Sequence, residues 1–508
     1  MIDVQNSPRR WWMLLVLAVS LLVVGLDMTV LNLAMPVLAE ELHATTSQLQ
    51  WFANAYNLVL AAALLPAGML GDRFGSKKVL LTALVLFGGA SMACAYANDA
   101  STLIAARAVL GLGAALLMPV SLSLLPVLFK EEERPKALRI WATASALGLP
   151  LGPILGGWLL DHYVWGSIFL INVPIVLFGL IAVALLLPKI QGSVKKGTDI
   201  PGILLSSAGL AVLTFGVTRS GEEGLGDALT LTYIAAGIVL LVLFVWRQRR
   251  AAAPLISLSL FREPRFTWGA LLATVVSFAL FGVLFGLPLL FQSVGGLNPQ
   301  ITGLRLLPLI GGLVVGAQLS GKLINRLNDK AIVAAGFVLM AAGLGLGGLT
   351  GLDTGYGYTA VWITLVGMGV GFALPTAMDA ALGALPPEQN GIGSALTMAL
   401  RQVGGTIGVA LLGAVMNAVY RNRLDMEGLA DNAAEEVQSS VSSGIATAKQ
   451  LDSAALLESV RSSFSNGFDA MLWTCSGVAL LGFVLAVVFL PNKKQAGESS
   501  AGTAAAPL

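Results

Sequence analysis

The chain of 508 residues is 56% hydrophobic and only 11% charged, with a mean hydropathy of +0.82, whereas a water-soluble domain carries about 25% charged residues. No soluble fold can hide that much apolar surface, so the composition places the chain in a lipid bilayer. Thirty Lys and Arg against 28 Asp and Glu leave no excess charge to support nucleic-acid binding. Cys94 and Cys475 both fall within apolar runs, which predicts small packing groups and no disulfide.

The apolar residues come in runs of about 20, the length a helix needs to cross a bilayer, and predict an all-α integral membrane protein with fourteen spans. In chain order these are 11–38, 49–70, 79–97, 102–128, 138–160, 166–187, 200–218, 229–247, 266–291, 302–323, 331–350, 357–384, 391–420 and 468–490. The N-terminal basic flank and apolar run resemble a signal peptide. The run continues past Asp27, however, and reads as a first span that is retained. Spans seven and eight are diluted by Gly and Ser. The segment 421–467, rich in Ser, Ala and acidic residues, is expected to be an external loop, partly helical or disordered, and the tail 491–508 to be unstructured.

Basic residues crowd the alternate segments that include the N-terminus, and Arg219 is the one basic residue in the opposite short loops. Basic flanks are retained in the cytoplasm, so both termini are expected there, with the chain multi-pass in a bacterial cytoplasmic membrane. His43 and His162 then lie outside, and no metal-ligand cluster accompanies them. No GxxxxGK[ST] loop is present to bind ATP.

An internal duplication is visible. GMLGDRFGSK (68–77) aligns with GKLINRLNDK (321–330) at an offset of 253. Gly111, Gly113 and Pro119 match Gly367, Gly369 and Pro375, and Gly148, Gly152 and Gly157 match Gly404, Gly408 and Gly413, both sets at an offset of 256. Spans 1–6 and 9–14 therefore read as two pseudo-symmetric six-helix bundles, 1–187 and 266–490. Spans 7 and 8 are inserted between them within 188–265. Parallel repeats of this kind place a substrate site between the halves near the midplane. Across the repeat, Asp72 matches Asn325 and Asp379 matches Ser123, so each carboxylate lacks a counterpart.

Several residues stand out against this frame. Gly68, Gly71 and Asp72 in GMLGDRFGSKK (68–78) read as a latch between the half-bundles with Arg134 or Arg139 as partner; a tight basic turn obeying the charge rule is the competing reading. Gly148, Gly152 and Gly156, one turn apart beside Pro150 and Pro153, form a bare helix face that permits close contact. Asp27 sits in mid-span, where a charge costs about 2.5–3.5 kcal/mol on insertion scales. It must face a cavity or a partner. Burial favours the neutral, proton-loaded carboxylate, so Asp27 reads either as a proton carrier or as a carboxylate held for structure. Arg107 either tunes that carboxylate or snorkels to the interface. Asp379 is a second proton or cation site, or else a solvated carboxylate at a helix end. Trp51, Asn54 and Asn57 share one face of span 2, and Phe278, Phe281 and Phe285 stripe span 9; they line a pocket or pack against neighbours.

The 68–78 segment resembles the signature loop between spans 2 and 3 of the major facilitator superfamily, with Ser76 where a basic residue is usual. LDMTVLNLAMP (26–36), RAVLGLGAALLMP (107–119), LGLPLGPILGG (147–157) and WGSIFLINVP (165–174) are similar to segments of its fourteen-helix drug:proton antiporters, the EmrB/QacA type. The resemblance implies a major facilitator fold and proton-coupled export of amphiphilic drugs, dyes or biocides by a monomer that uses the proton gradient and no cofactor. It implies proton coupling for Asp27 and Arg107, and a gating role for Gly68, Asp72, Arg73, Arg134, Gly148, Gly152, Pro153 and Gly156. Members selective for divalent cations carry acidic residues in span 13, where this chain has Arg401 and Gln402, which are expected with Asp27 to contact substrate. That fits the branch that handles neutral or anionic amphiphiles as well as monovalent cations. A dedicated exporter of one metabolite or antibiotic is the rival in the same architecture; a membrane-embedded enzyme or sensor would need catalytic or signalling features that the sequence does not display.

Overall fold

The computed structural model describes residues 9–492 apart from 43, 45, 189–198, 224–225, 252–253, 256–257, 325, 352–353, 386–388, 427–428, 430 and 440. The expectations for Asn325, for His43 and for most of the C-terminal tail fall outside these residues. Among those described there is no strand, and fourteen long helices account for the fourteen predicted spans. They are α1 (Arg9–Glu41), α2 (Thr46–Phe74), α3 (Ser76–Ala95), α4 (Ala100–Leu128), α5 (Arg134–His162), α6 (Asn172–Leu186), α7 (Ile200–Glu223), α8 (Ala228–Arg250), α9 (Pro264–Leu289), α10 (Leu307–Leu323), α11 (Asp329–Gly347), α12 (Tyr356–Gly383), α13 (Asn390–Arg423) and α14 (Ala454–Phe489). Hydrocarbon offers no partner for a free amide or carbonyl, which is why every crossing is helical.

Thirteen of the described helices are long and apolar enough to cross a membrane by length and composition. The remaining predicted span, 138–160, lies in α5, a helix of 29 residues. It is held between α1 of its own half and α10 and α12 of the other.

The contact pattern repeats from half to half. In the first, α1 packs on α5 and α6, α4 on α2 and α3, and α3 on α6. In the second, α9 packs on α13 and α14, α12 on α10 and α11, and α11 on α14. Repeat-matched glycines make the matching crossings. A Cβ on Gly111 or on Gly367 would run into the backbone of the neighbouring helix, at Tyr56 of α2 and at Leu309 of α10 respectively. Likewise α5 meets α1 where Gly148 lies against Gly25, and α13 meets α9 where Gly408 lies against the Phe278 backbone. Lipid supplies no hydrophobic force between helices, so such small-residue crossings supply close packing.

The inserted pair forms a hairpin, with α7 packed on α2 and α13 and α8 on the outside of α7. Its ends are pinned by polar groups. Asp199 accepts hydrogen bonds from the Gly202 amide, Arg247 and Gln248. Burial works against the Asp199 carboxylate's charge, but these donors hold it below the usual carboxylate range.

The expected loop 421–467 is much shorter than its composition suggests. α13 runs on to Arg423 and α14 begins at Ala454, with helices Asp431–Ser439 and Val441–Gln450 between. Leu456, Val460, Phe464 and Phe468 recur every fourth residue and are all buried. That stripe carries α14 beyond the apolar run, and interleaved Ser and charged residues hide it from a mean hydropathy.

Gly148→Val is expected to destabilise the protein by roughly 1–3 kcal/mol, as overpacking does, and thermal unfolding in detergent micelles measures it. Gly89→Ala on α3, where a Cβ meets nothing within 4 Å, is the control and is expected to be neutral.

Candidate functional site

A cavity of about 580 Å³ lies between the halves, within the range of small-molecule sites. Its walls come from α1 (Met28, Thr29), α2 (Tyr56, Asn57), α4 (Arg107), α7 (Thr214, Thr218), α9 (Phe281, Phe285) and α13 (Gln402, Thr406, Asn417). Tyr420, Val441 and Phe464 bound it toward the end of the bundle away from the N-terminus. A narrower recess of about 80 Å³ adjoins it and shares Met28, Phe281 and Gln402 with it; this recess is also lined by Trp141, Met398 and Arg401.

Behind the cavity wall lies a buried ion pair. Arg107 Nη1 donates to Asp27 Oδ2 at 2.5 Å, with both side chains 2% exposed. Arg107 Nε donates to the Phe52 carbonyl at 2.9 Å, and the guanidinium lies 4.6 Å from the centre of the Tyr56 ring. The snorkelling alternative for Arg107 is thereby replaced: the residue points inward and ties α4 to α1 and α2. Arg107 lines the cavity while Asp27 sits behind it. The pair is chemically a switch, because protonating Asp27 removes the counter-charge of a guanidinium that faces the cavity.

At the end bearing the N-terminus the halves are in contact on both sides. Asp72 accepts a hydrogen bond of 3.1 Å from the Ile392 amide in the first turn of α13, where the helix dipole favours a negative charge. Gly68, one turn earlier, lets α2 approach so closely that a Cβ there would meet Ala395 and the Gly391 carbonyl. The turn into α3 needs Gly75, whose φ is +90°. On the other side the Arg139 guanidinium lies on Gly321 of α10 and interacts electrostatically with Asp379, and Arg134 lies beside Gly383 of α12.

The residues expected to latch the half-bundles lie where the halves meet: Asp72 bonds to α13 of the other half, and Arg134 and Arg139 also reach across, to α12 and α10. Asp379 is buried at this end facing Arg139, and it is not among the residues lining the cavity or its recess. Arg73 points outward with its guanidinium 5.5 Å from the Phe74 ring. Gly152 and Gly156 abut Thr29 and Val30 of α1, which places the bare face of α5, with Pro153 on the same helix, in an intra-half crossing.

The substrate-lining expectations divide. Asn57, Phe281, Phe285, Gln402 and Arg401 line the cavity or its recess. Phe278 is core, and Trp51 stacks on Phe215 of α7 at 6.1 Å, while Asn54 is half-buried and outside the lining. The cavity face of α2 is Ala53, Tyr56 and Asn57, rotated from the face that Trp51 and Asn54 suggested. Thr214 and Thr218, one turn apart on α7, were the missed polar signal: they bring an inserted helix into the cavity wall.

The profile described as Major Facilitator Superfamily matches residues 17–409. The chain belongs to this superfamily. Among relatives of this transporter, the tetracenomycin C resistance and export protein of Streptomyces glaucescens is 34% identical over 409 residues, covering 80% of this chain and 76% of its own length. The multidrug efflux pump LfrA of Mycolicibacterium smegmatis is 33% identical, covering 91% and 93%. The methyl viologen resistance protein SmvA of Salmonella typhimurium is 30% identical, covering 93% and 97%. A solved structure of the proton:xylose symporter XylE superposes with a TM-score of 0.64 at 15% identity, covering 96% and 97%, and shares the fold.

Arg107→Met leaves Asp27 buried without its cation, and breaking such a pair costs about 3–5 kcal/mol. A marked fall in the thermal unfolding midpoint is expected. The double variant Asp27→Leu with Arg107→Met is expected to recover most of that loss, because it removes both charges together.

Proposed function

We propose that the transporter is a proton-coupled exporter of amphiphilic drugs, dyes or biocides, seated in a bacterial cytoplasmic membrane with both termini in the cytoplasm. The observation that carries this reading is the Asp27–Arg107 pair in the wall of a cavity whose near end is latched shut. With basic flanks retained inside, the latched end is cytoplasmic, and the arrangement described is the one that faces outward. Relatives named for resistance, efflux or export support the outward direction.

In the cycle we infer, a proton from outside neutralises Asp27, and Arg107 loses its counter-ion as the substrate departs. The halves then rock about the crossings of α2 with α13 and of α5 with α10. Asp72 and the Arg139–Asp379 contact release as the cytoplasmic end opens, Asp27 gives its proton to the cytoplasm, and the site takes a new molecule. Energy comes from the proton gradient without a cofactor, and one chain suffices. Asp379 belongs in this scheme to gating. Relatives named for resistance to a single antibiotic support a second reading, a dedicated exporter; a resistance profile across dyes, biocides and antibiotics separates the two.

Asp27→Asn is expected to abolish dye efflux driven by a proton gradient in everted vesicles while membrane insertion stays normal. Full transport by that variant would sink the coupling role. Asp72→Ala is expected to loosen the cytoplasmic latch. A cysteine placed at the fully buried Ser394 position of α13 should then react faster with a maleimide applied from the cytoplasmic side.

A further inference from the structure

The recess between the halves contains a cation for which no described residue supplies an acid. Arg401 on α13 donates from Nε to Ser277 Oγ at 3.0 Å, and its Nη1 faces only the sulfurs of Met378 and Met398, at 3.8 and 3.6 Å. Thioether sulfur is a weak acceptor, and a guanidinium has five N–H donors. Ser277 Oγ is itself committed as a donor to the Ala273 carbonyl. Among the described residues no carboxylate pairs with Arg401, and its Nη2 has no protein acceptor and is not sealed from the recess.

The other guanidinium in the wall is treated differently. Arg107 has Asp27, a carbonyl and an aromatic face. Among the described residues no Asp or Glu lines the cavity or the recess, and the ionisable acidic groups there are the phenols of Tyr56 and Tyr420. While Asp27 is ionised, the space therefore carries one uncompensated positive charge, at Arg401. A buried charge without a partner is expensive, and a ligand that supplies the counter-charge relieves that cost on binding. A cationic ligand would instead meet an unpaired like charge in a water-poor recess. Phe281 beside Arg401, and Phe285 and Tyr56 in the adjoining cavity, offer flat apolar faces to the rest of such a molecule.

We propose that the recess binds the anionic group of a flat amphiphile on Arg401, so that the preferred cargo is an aromatic carboxylate, sulfonate or phenolate. This deepens the export reading and rests on it only for transport, since binding to Arg401 stands apart from the proton carried by Asp27.

The test uses fluorescein and rhodamine 123, an acidic and a cationic dye on one xanthene frame, with the purified full-length transporter in lipid nanodiscs. The wild type is expected to bind fluorescein more tightly than rhodamine 123. Arg401→Gln is expected to weaken fluorescein binding by about tenfold or more, as loss of a charge-assisted contact does, with rhodamine 123 unchanged or tighter. Met398→Glu, which places a carboxylate beside the guanidinium, is expected to erase the fluorescein preference without deleting the arginine, and it serves if Arg401→Gln fails to fold. A wild type that prefers rhodamine 123, or an Arg401→Gln variant that shifts both dyes equally, overturns the proposal. Proton-driven export of rhodamine 123 with no binding of fluorescein defeats this inference and leaves the export reading intact. Binding of fluorescein through Arg401 with neither dye moved against a gradient defeats the export reading and leaves the site assignment intact.

Discussion

A bilayer interior neither hydrogen-bonds a backbone nor rewards apolar side chains for leaving it, and the architecture follows from those two facts. The first forces every crossing to be helical. The second means that helices must hold together by close approach, which glycines at the crossings supply. Gly111 against Tyr56 and Gly367 against Leu309 are the same solution used twice, once in each half. Where the halves meet, the same device recurs with a difference: Gly68 admits the backbone of α13, whereas Gly321 admits a charged side chain from α5.

The asymmetries laid over that duplication are where the chemistry sits. Charges are scarce in the bundle, and each polar contact across the interior has a visible consequence. Asp27 and Arg107 neutralise each other in the first half, and no such pair is found at the matching place in the second. In the second half α9, the counterpart of α1, brings Phe281 and Phe285 to the central space, and α13, the counterpart of α5, brings Arg401. Asp72 and Asp379, two carboxylates that the repeat leaves unmatched, both lie at the end bearing the N-terminus, one at a helix N-terminus and the other facing Arg139. The buried ion pair, the contacts between the halves and the cavity lining are thereby separated along the axis of the molecule. The inserted hairpin is also more than a spacer, since Thr214 and Thr218 of α7 belong to the cavity wall.

Much of this was legible in the chain itself. Span number, the two copies and the inserted pair follow from the length of apolar runs and a near-constant repeat offset, because a bilayer of fixed thickness imposes one length on every crossing. Asp27 was recognisable as a functional candidate because an ionisable group in mid-span is costly without a partner. The sequence by itself could not decide which partner it takes, since Arg107 lies 80 positions away and only the packing of α4 on α1 and α2 turns it inward. Nor could it place Arg134 and Arg139, which cross to the other half, or choose between faces of α2, where a rotation about the helix axis exchanges Trp51 and Asn54 for Ala53 and Tyr56. Hydropathy sums over a window, so it also missed the first turns of α14, whose buried stripe is interleaved with polar residues. Local composition determined what crosses the membrane. Long-range packing decided which charges meet, because partners in a helical bundle are set by how helices cross and turn, and no local window contains that information.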